Sequence, residues 1–191
     1  MKMSTILIVL LMSISTFAQN DQKGFYVGYE ILEMAMNKFQ YFAGEIGYRF
    51  DKKNHIRLAI LEVKLTERHL SSSTEAYAVD GENVEGYFRG YEINYDKFYY
   101  KNLFISANMG YFHDTYEHTI LDEKVENKTF TIGTALGYRH SDLFGIKHFY
   151  INFSLPVRYY FNKLEETKLG DTTVREHSIV NNIWLFLGYQ F

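Results

Sequence analysis

The sequence predicts an all-β fold, an eight-stranded antiparallel up-and-down β-barrel. Three observations lead to it. Apolar and polar residues alternate with a period of two in eight segments after residue 18. Aromatic residues make up 18% of the chain, and only one proline interrupts it. The connections between the segments alternate between short and long. Regular alternation of this kind is typical of strands joined in sequence around a barrel.

The first 18 residues read as a secretory signal peptide and are excluded from the fold. Met1-Lys2-Met3 gives a positive start, residues 6–12 are apolar, and Thr16 and Ala18 are small residues before a cut at Gln19. A membrane anchor is the alternative, but the thirteen residues from Ile6 to Ala18 fall short of the ~20 that a helical span needs. We therefore expect a signal peptide at 1–18 and one barrel domain at 19–191.

Eight segments carry the strand pattern, and their connections indicate an orientation. The predicted strands are 24–34, 39–50, 55–66, 84–96, 102–115, 128–140, 147–161 and 178–191. Links of a few residues follow the second, fourth and sixth strands, whereas three of the other four are long polar loops, at 67–83, 116–127 and 162–177; the link at 35–38 is short. Short periplasmic turns and longer extracellular loops distinguish transmembrane barrels of the bacterial outer membrane, so the sequence predicts a transmembrane barrel.

The dipeptide Gly-Tyr recurs seven times and places tyrosines on the apolar face of the strands and glycines on the mixed face. Tyrosines near the ends of membrane strands form girdles at the two interfaces. Inward glycine relieves crowding in a narrow barrel. The predicted aromatic girdle is Tyr29, Tyr48, Tyr87, Tyr91, Tyr111, Tyr138 and Tyr189.

Charged residues on the Gly-bearing face are few and of mixed sign. A water-exposed face would be dense in Lys and Glu, so we expect these residues to point into the barrel and to pair there, with Arg57 opposite Glu92. Glu62 and Lys64 join this set only if a bulge near Ile60-Leu61 reverses their direction. The predicted lumen ion network is Glu30, Glu45, Arg49, Arg57, Glu62, Lys64, Glu92, Arg139 and Arg158.

Two single residues depart from the pattern. Arg89 falls on the apolar face, so we expect it near the outer rim, where it contacts lipid phosphates; a local bulge is the alternative. Pro156 lies within a strand that has neighbours on both sides. Either one ladder hydrogen bond is missing there, or a bulge absorbs the proline.

Composition and spacing exclude several functions. The formal net charge of −3, from 20 Lys and Arg against 23 Asp and Glu, gives no basic excess for nucleic acid, and the absence of Cys removes thiol chemistry. His113 and His118, with His69 and His177 in other loops, match no metal-ligand motif. His140-Ser141-Asp142 diverge along a strand and turn, so they form no triad. We predict no catalytic residues, no metal and no cofactor.

The signal peptide, the eight strands, the loop asymmetry and the terminal Leu187-Gly188-Tyr189-Gln190-Phe191 resemble the small outer-membrane β-barrel proteins, the OmpX, Ail and OmpA-membrane-domain class. The resemblance covers the mature chain and implies outer-membrane lipids and the barrel assembly machinery as partners. It also implies that Phe191, supported by Tyr189, is the assembly signal.

These observations predict a structural, surface-interaction protein of a Gram-negative outer membrane, with a lumen filled by side chains. Loops 67–83, 116–127 and 162–177 are expected to contact an extracellular ligand. A narrow porin-like channel is the main alternative. A secreted lipocalin-like binder and a lipid A-modifying enzyme are weaker ones.

Overall fold

The computed structural model describes residues 23–36, 41–65, 77–81 and 83–191. The signal peptide at 1–18 and most of the loop at 67–83 lie outside these ranges. Within them, no helix has the length and apolarity needed to cross a membrane.

Twelve strands and one short helix make up the described chain. Their bounds are β1 Gly24–Glu30, α1 Leu32–Met36, β2 Tyr41–Arg49, β3 Asn54–Leu65, β4 Tyr77–Asp80, β5 Val84–Tyr100, β6 Leu103–His118, β7 Lys124–Ser141, β8 Phe149–Tyr160, β9 Thr167–Leu169, β10 Thr172–Glu176, β11 Ile179–Asn181 and β12 Trp184–Gln190. A single 3₁₀ turn, Leu143–Gly145, lies in the link between β7 and β8.

The strands close into one barrel, which confirms the predicted fold class. Neighbouring strands pair antiparallel in the order β1, β2, β3, β5, β6, β7, β8 and β12, and β12 pairs back with β1. Strands β11 and β12 both pair with β8 and together form the eighth wall. Because the barrel is closed, each of these eight strands pairs with a neighbour on both sides over at least part of its length.

Several predicted boundaries differ from the structure. The first strand ends at Glu30 rather than at residue 34, because α1 begins two residues later. The loop at 116–127 is wrong: β6 and β7 extend to His118 and from Lys124 as one long hairpin. The loop at 162–177 contains β9 and β10, which form a separate three-stranded sheet with β4. We call this sheet the cap.

The outer surface of the lower barrel, the half nearest the short turns, is apolar. Ile93, Ile105, Met109, Leu136 and Leu155 are each 40–56% exposed. Alternate positions on the same strands point inward and are buried. Inward glycines make room for inward rings: a Cβ at Gly47 would collide with the Tyr26 ring, and one at Gly137 with the Phe104 ring.

This relation reverses in the upper barrel, the half nearest the cap. There the interior is apolar, with Leu61, Val63, Phe88 and Phe112 buried in one cluster, and the outer face carries charges. The inversion explains the broken alternation of β3. From Leu61 onward, the apolar residues of β3 lie on the inner face, and Glu62 and Lys64 lie on the outer face.

Two predicted irregularities are resolved by the register. Strand β3 pairs with β2 and β5 without a shift, so the predicted bulge near Ile60-Leu61 does not exist. At Pro156 the register is also unbroken. The Asn182 N–H donates to the Pro156 carbonyl at 3.2 Å, but proline has no N–H to return. The missing ladder bond separates β11 from β12.

Candidate functional site

The barrel interior holds a chain of buried ions. Arg57 is 1% exposed and donates from Nη1 to the Glu45 Oε2 at 3.1 Å and from Nε to the Asp96 Oδ2 at 3.0 Å. Its Nη2 donates to the Asn94 side chain at 3.2 Å. The three partners come from β2 and β5, which flank β3, so the guanidinium fastens three adjacent walls. Its desolvation is compensated by hydrogen-bonded charges, as a buried ion requires.

A second ion pair crosses the lumen from β8 to β5. The Arg158 guanidinium donates to both carboxylate oxygens of Glu92, with 3.1 Å between Nη2 and Oε1. Its Nη1 donates to Asn182 at 2.6 Å, and its charge lies 4.4 Å from the centroid of the Trp184 ring. Opposite walls of the barrel are therefore held together through the centre.

The predicted pairing of Arg57 with Glu92 is wrong. The ladder places Arg57 opposite Asn94, and Glu92 opposite Ala59. Arg57 therefore reaches Asp96, and Glu92 reaches across to Arg158. The error arose because the loop length between β3 and β5 did not fix their register.

Arg139 occupies a different environment, near the end of the barrel with the short turns. Its guanidinium lies 3.9 and 3.8 Å from the ring centroids of Tyr26 and Tyr150, which pack edge to face with 5.7 Å between their own centroids. The Tyr150 hydroxyl donates to Glu45 Oε1 at 2.7 Å, which links these rings to the Arg57 network. Arg49, on β2, borders the same end of the lumen and is half-buried.

Glu30 is buried, and its carboxylate accepts hydrogen bonds from backbone N–H groups. It accepts the N–H groups of Leu32 and Glu33 at 3.1 and 2.9 Å, at the start of α1, and the N–H of Leu185 at 3.2 Å. It therefore caps the helix and ties it to β12. Sequence reasoning assigned Glu30 to an ion network because it did not predict the helix.

Glu62 and Lys64 lie on the outer surface, contrary to their predicted place in the lumen. Glu62 pairs with Arg89 at 2.8 Å and Lys64 with Glu85 at 2.8 Å. Both pairs span β3 and β5 above the apolar band. Arg89 points outward, as predicted, and its side chain is 71% exposed. No bulge displaces it from the regular ladder.

The outer surface of the β6–β7 hairpin continues this charged zone. Lys124 pairs with Glu126 at 2.6 Å, and Glu126 also contacts His113 at 3.2 Å. The hydrogen bond from Lys124 lowers the pKa of Glu126, and the same bond raises the pKa of Lys124.

A buried carboxylate that the sequence analysis missed fastens the cap to the barrel. Glu176, on β10, accepts the Tyr116 hydroxyl at 3.1 Å, the Asn127 side-chain amide at 2.7 Å and the Leu164 N–H at 2.7 Å. Leu169 and Val174 of the cap pack into the upper apolar cluster. The predicted loop 162–177 hid this residue, because strands in an otherwise polar segment gave no clear period.

The predicted girdle tyrosines lie on the outer face, six of them within or beside the apolar band. Tyr48 packs against Phe25 and Phe50 at centroid distances of 4.9 and 5.2 Å, close to the short turns. Tyr91 and Tyr111 are direct cross-strand neighbours higher up. Tyr87 differs: it pairs with Lys64 in the ladder and donates to Glu85 at 3.1 Å, so it belongs to the charged zone.

Of the residues considered for metal binding and catalysis, His69 lies outside the described residues, and His118, Ser141 and Asp142 each make hydrogen bonds of their own. His118 accepts the Ile120 and Leu121 N–H groups through Nδ1. Ser141 accepts from Gln190, and Asp142 accepts the His148 N–H. Among the described residues, no three His, Cys, Asp or Glu side chains are grouped so that they could hold a metal ion.

These features define a class of protein, the small closed β-barrel with an apolar exterior and a filled interior. In solved structures the chain is similar to the N-terminal β-barrel domain of Pseudomonas aeruginosa OprF, with 15% identity and a TM-score of 0.43 over 91% of this chain and 100% of that one. It is also similar to Ail, the attachment invasion locus protein of Yersinia pestis, with 13% identity and a TM-score of 0.42 over 89% and 98% of the two chains. No protein-family model and no curated protein matches the sequence.

Proposed function

We propose that the chain is an outer-membrane β-barrel of a Gram-negative bacterium, exported through a cleaved signal peptide, and that it presents a folded surface outside the cell. The observation that carries the proposal is the inversion of polarity along the strands. In water, the lower outer surface would expose one continuous apolar belt around the barrel. In a bilayer, this belt meets acyl chains, and the charged zone above it meets water and lipid headgroups.

Arg89 belongs to the boundary between these zones. Its ladder partner Glu62 neutralises it, and both side chains are largely exposed. At this height a guanidinium is also placed to meet lipid phosphates. The outer-membrane lipids are thus the first partners that we propose.

The lumen serves as a structural core rather than as a conducting path. The Arg57 and Arg158 ion pairs cross its middle, and Leu61, Val63, Phe88 and Phe112 fill it above. Pure refolded protein in a planar bilayer should show no stepwise conductance. Reproducible single-channel openings would instead establish the porin-like alternative.

The surface that we propose to lie outside the cell consists of the cap and the β6–β7 hairpin. The structured cap replaces the loop at 162–177, and the hairpin replaces the loop at 116–127. Above Phe130, whose carbonyl accepts the Phe161 N–H, β7 has no ladder partner on the β8 side within the described residues. Asn162 contacts Asn127 and Thr129 on this side, so within the described residues the edge without such a contact is at 124–126. We propose that an external chain adds there as a further strand and that this face is the contact for an extracellular ligand.

Epitope insertion tests the orientation of this surface. A tag in the turn at 119–123 should be accessible to antibody on intact cells. A matched tag in the turn at 51–53, at the opposite end of the barrel, should require permeabilised cells. The reverse labelling would refute the proposed orientation, and labelling of neither tag in an outer-membrane fraction would refute surface display.

The C-terminus is proposed as the signal for the barrel assembly machinery. The Phe191 N–H donates to the Phe25 carbonyl at 2.8 Å, and its ring packs on Tyr189 at 5.4 Å. The terminal residue therefore lies where the last strand meets the first. Phe191→Ala should lower the amount of assembled, heat-modifiable protein in the outer membrane, while Phe161→Ala, an exposed aromatic elsewhere, should leave that amount nearly unchanged.

A further inference from the structure

The end of the lumen near the short turns contains an open cavity of about 230 Å³ with an excess of positive charge. Arg49, Lys52, Lys101 and Arg139 line it, against one carboxylate, Asp51. That carboxylate already accepts the Lys53 N–H at 2.6 Å and the Asn54 side-chain amide at 2.7 Å. These hydrogen bonds hold the carboxylate within its own turn.

Arg139 is the buried element of this cavity. It is 4% exposed, yet within the described chain none of its three guanidinium nitrogens has a hydrogen-bond partner. Arg57 and Arg158, the other deeply buried arginines among the described residues, each have a carboxylate partner. A buried cation without a counter-charge is costly, so this position calls for an acceptor from outside the chain.

The unpartnered nitrogens indicate which kind of acceptor fits. The rings of Tyr26 and Tyr150 meet at 85° and flank the guanidinium on two adjoining sides, and neither ring supplies a hydrogen-bond acceptor to its three nitrogens. An arginine edge is a planar fork of N–H donors that matches the oxygens of phosphate or carboxylate. A second orphaned polar atom, the buried Nδ1 of His55, borders the same cavity.

We propose that this cavity binds a small phosphate-type oxyanion, held by the edge of Arg139 and surrounded by the cationic side chains of Arg49, Lys52 and Lys101. The cavity is large enough, since one water needs only ~10–15 Å³ of such space. In the proposed orientation it opens to the periplasm, so the ligand is either a soluble phosphate or the phosphate of an inner-leaflet lipid headgroup. Only the compartment depends on the proposed function. Binding itself does not.

Titration of refolded, isotope-labelled protein in a zwitterionic detergent with inorganic phosphate tests the site. We expect saturable amide shifts at residues 101, 102, 139 and 141 that chloride at equal ionic strength does not produce. Arg139→Gln should weaken binding at least tenfold, and Arg175→Gln, on the exposed face of the cap strand β10, should not change it. Non-saturating shifts, shifts equal to those with chloride, or unchanged binding by Arg139→Gln would overturn the proposal.

Two further arms complete the experiment. Lys101→Gln changes a residue at the open edge of the cavity and should weaken phosphate binding several-fold while the heat-modifiable fold is retained. This variant keeps the site testable if Arg139→Gln fails to fold. An unchanged phosphate affinity in Lys101→Gln would then count against the site. A short-chain phosphatidylglycerol that displaces phosphate from these residues identifies a lipid headgroup as the ligand, and one that does not identifies a soluble oxyanion. Failure of phosphate binding in protein that still labels correctly on cells would reject the site and leave the proposed function intact.

Discussion

At the residue scale, the interior charges differ in what each one does. Arg57 and Arg158 bridge walls of the barrel, Glu30 caps a helix, and Arg139 faces an open cavity. Sequence alternation predicted that these four side chains point inward. It could not predict their partners, because partners depend on the register between strands and on side-chain reach across the lumen.

Removing Arg57 should be strongly destabilising. Arg57→Met leaves Glu45 and Asp96 buried with one cationic partner fewer, and breaking a buried pair in this way costs about 3–5 kcal/mol. Urea unfolding of protein refolded in lipid vesicles measures the loss. Arg89→Met removes an exposed pair and should cost only ~0–1 kcal/mol. Equal losses for the two variants would show that the interior ions do not hold the walls.

Removing the Glu30 carboxylate should loosen α1. Glu30→Ala deprives the first turn of the helix of its acceptor and should cost about 0.5–2 kcal/mol, the range of lost helix caps. Amide hydrogen exchange of residues 32–36 and 185 reports the change locally. Glu33→Ala, on the same helix, is the control and should leave the protection of Leu185 unchanged. Full protection in Glu30→Ala would show that the cap is unimportant.

At the scale of elements, the strands were predictable and the cap was not. All eight barrel segments carried a period of two long enough to be recognised; seven shifted only at their ends, and the last, 178–191, is divided into β11 and β12. The cap strands are three to five residues long, too short for periodicity to separate them from a loop. The reversal of faces in β3 follows the change of polarity along the barrel, which the pattern of one strand alone cannot distinguish from a bulge.

Pro156 interrupts the eighth wall, and its replacement should join β11 to β12. In Pro156→Ala the new N–H can donate to the Asn182 carbonyl, because the register on both sides is already continuous. A gain of about 0.5–1.5 kcal/mol from the hydrogen bond is offset by about 0.4–1 kcal/mol of added chain entropy in the unfolded state. The clear readout is therefore exchange: the new amide at position 156 should be protected like its neighbours, and rapid exchange there would contradict the regular ladder.

At the scale of the whole molecule, two cores of opposite polarity share one barrel. The lower half has an ionic interior and an apolar exterior, and the upper half has an apolar interior and a charged exterior. Under the proposed membrane placement, the outer face of each half matches its surroundings, acyl chains around the lower half and water around the upper half. Composition alone, with 47% hydrophobic residues, does not separate these halves. Their separation becomes visible when residues are followed along the strands.

The most direct measurement of this account is the cost of an arginine at two heights on the outer face. Leu155 lies in the middle of the apolar band and is 40% exposed, whereas Thr115 lies in the charged zone on β6. In lipid vesicles, Leu155→Arg should lower the free energy of unfolding by ~2–4 kcal/mol, and Thr115→Arg by ~0–1 kcal/mol. Equal, small effects at both positions, together with folding in water without detergent, would contradict a membrane around the lower barrel.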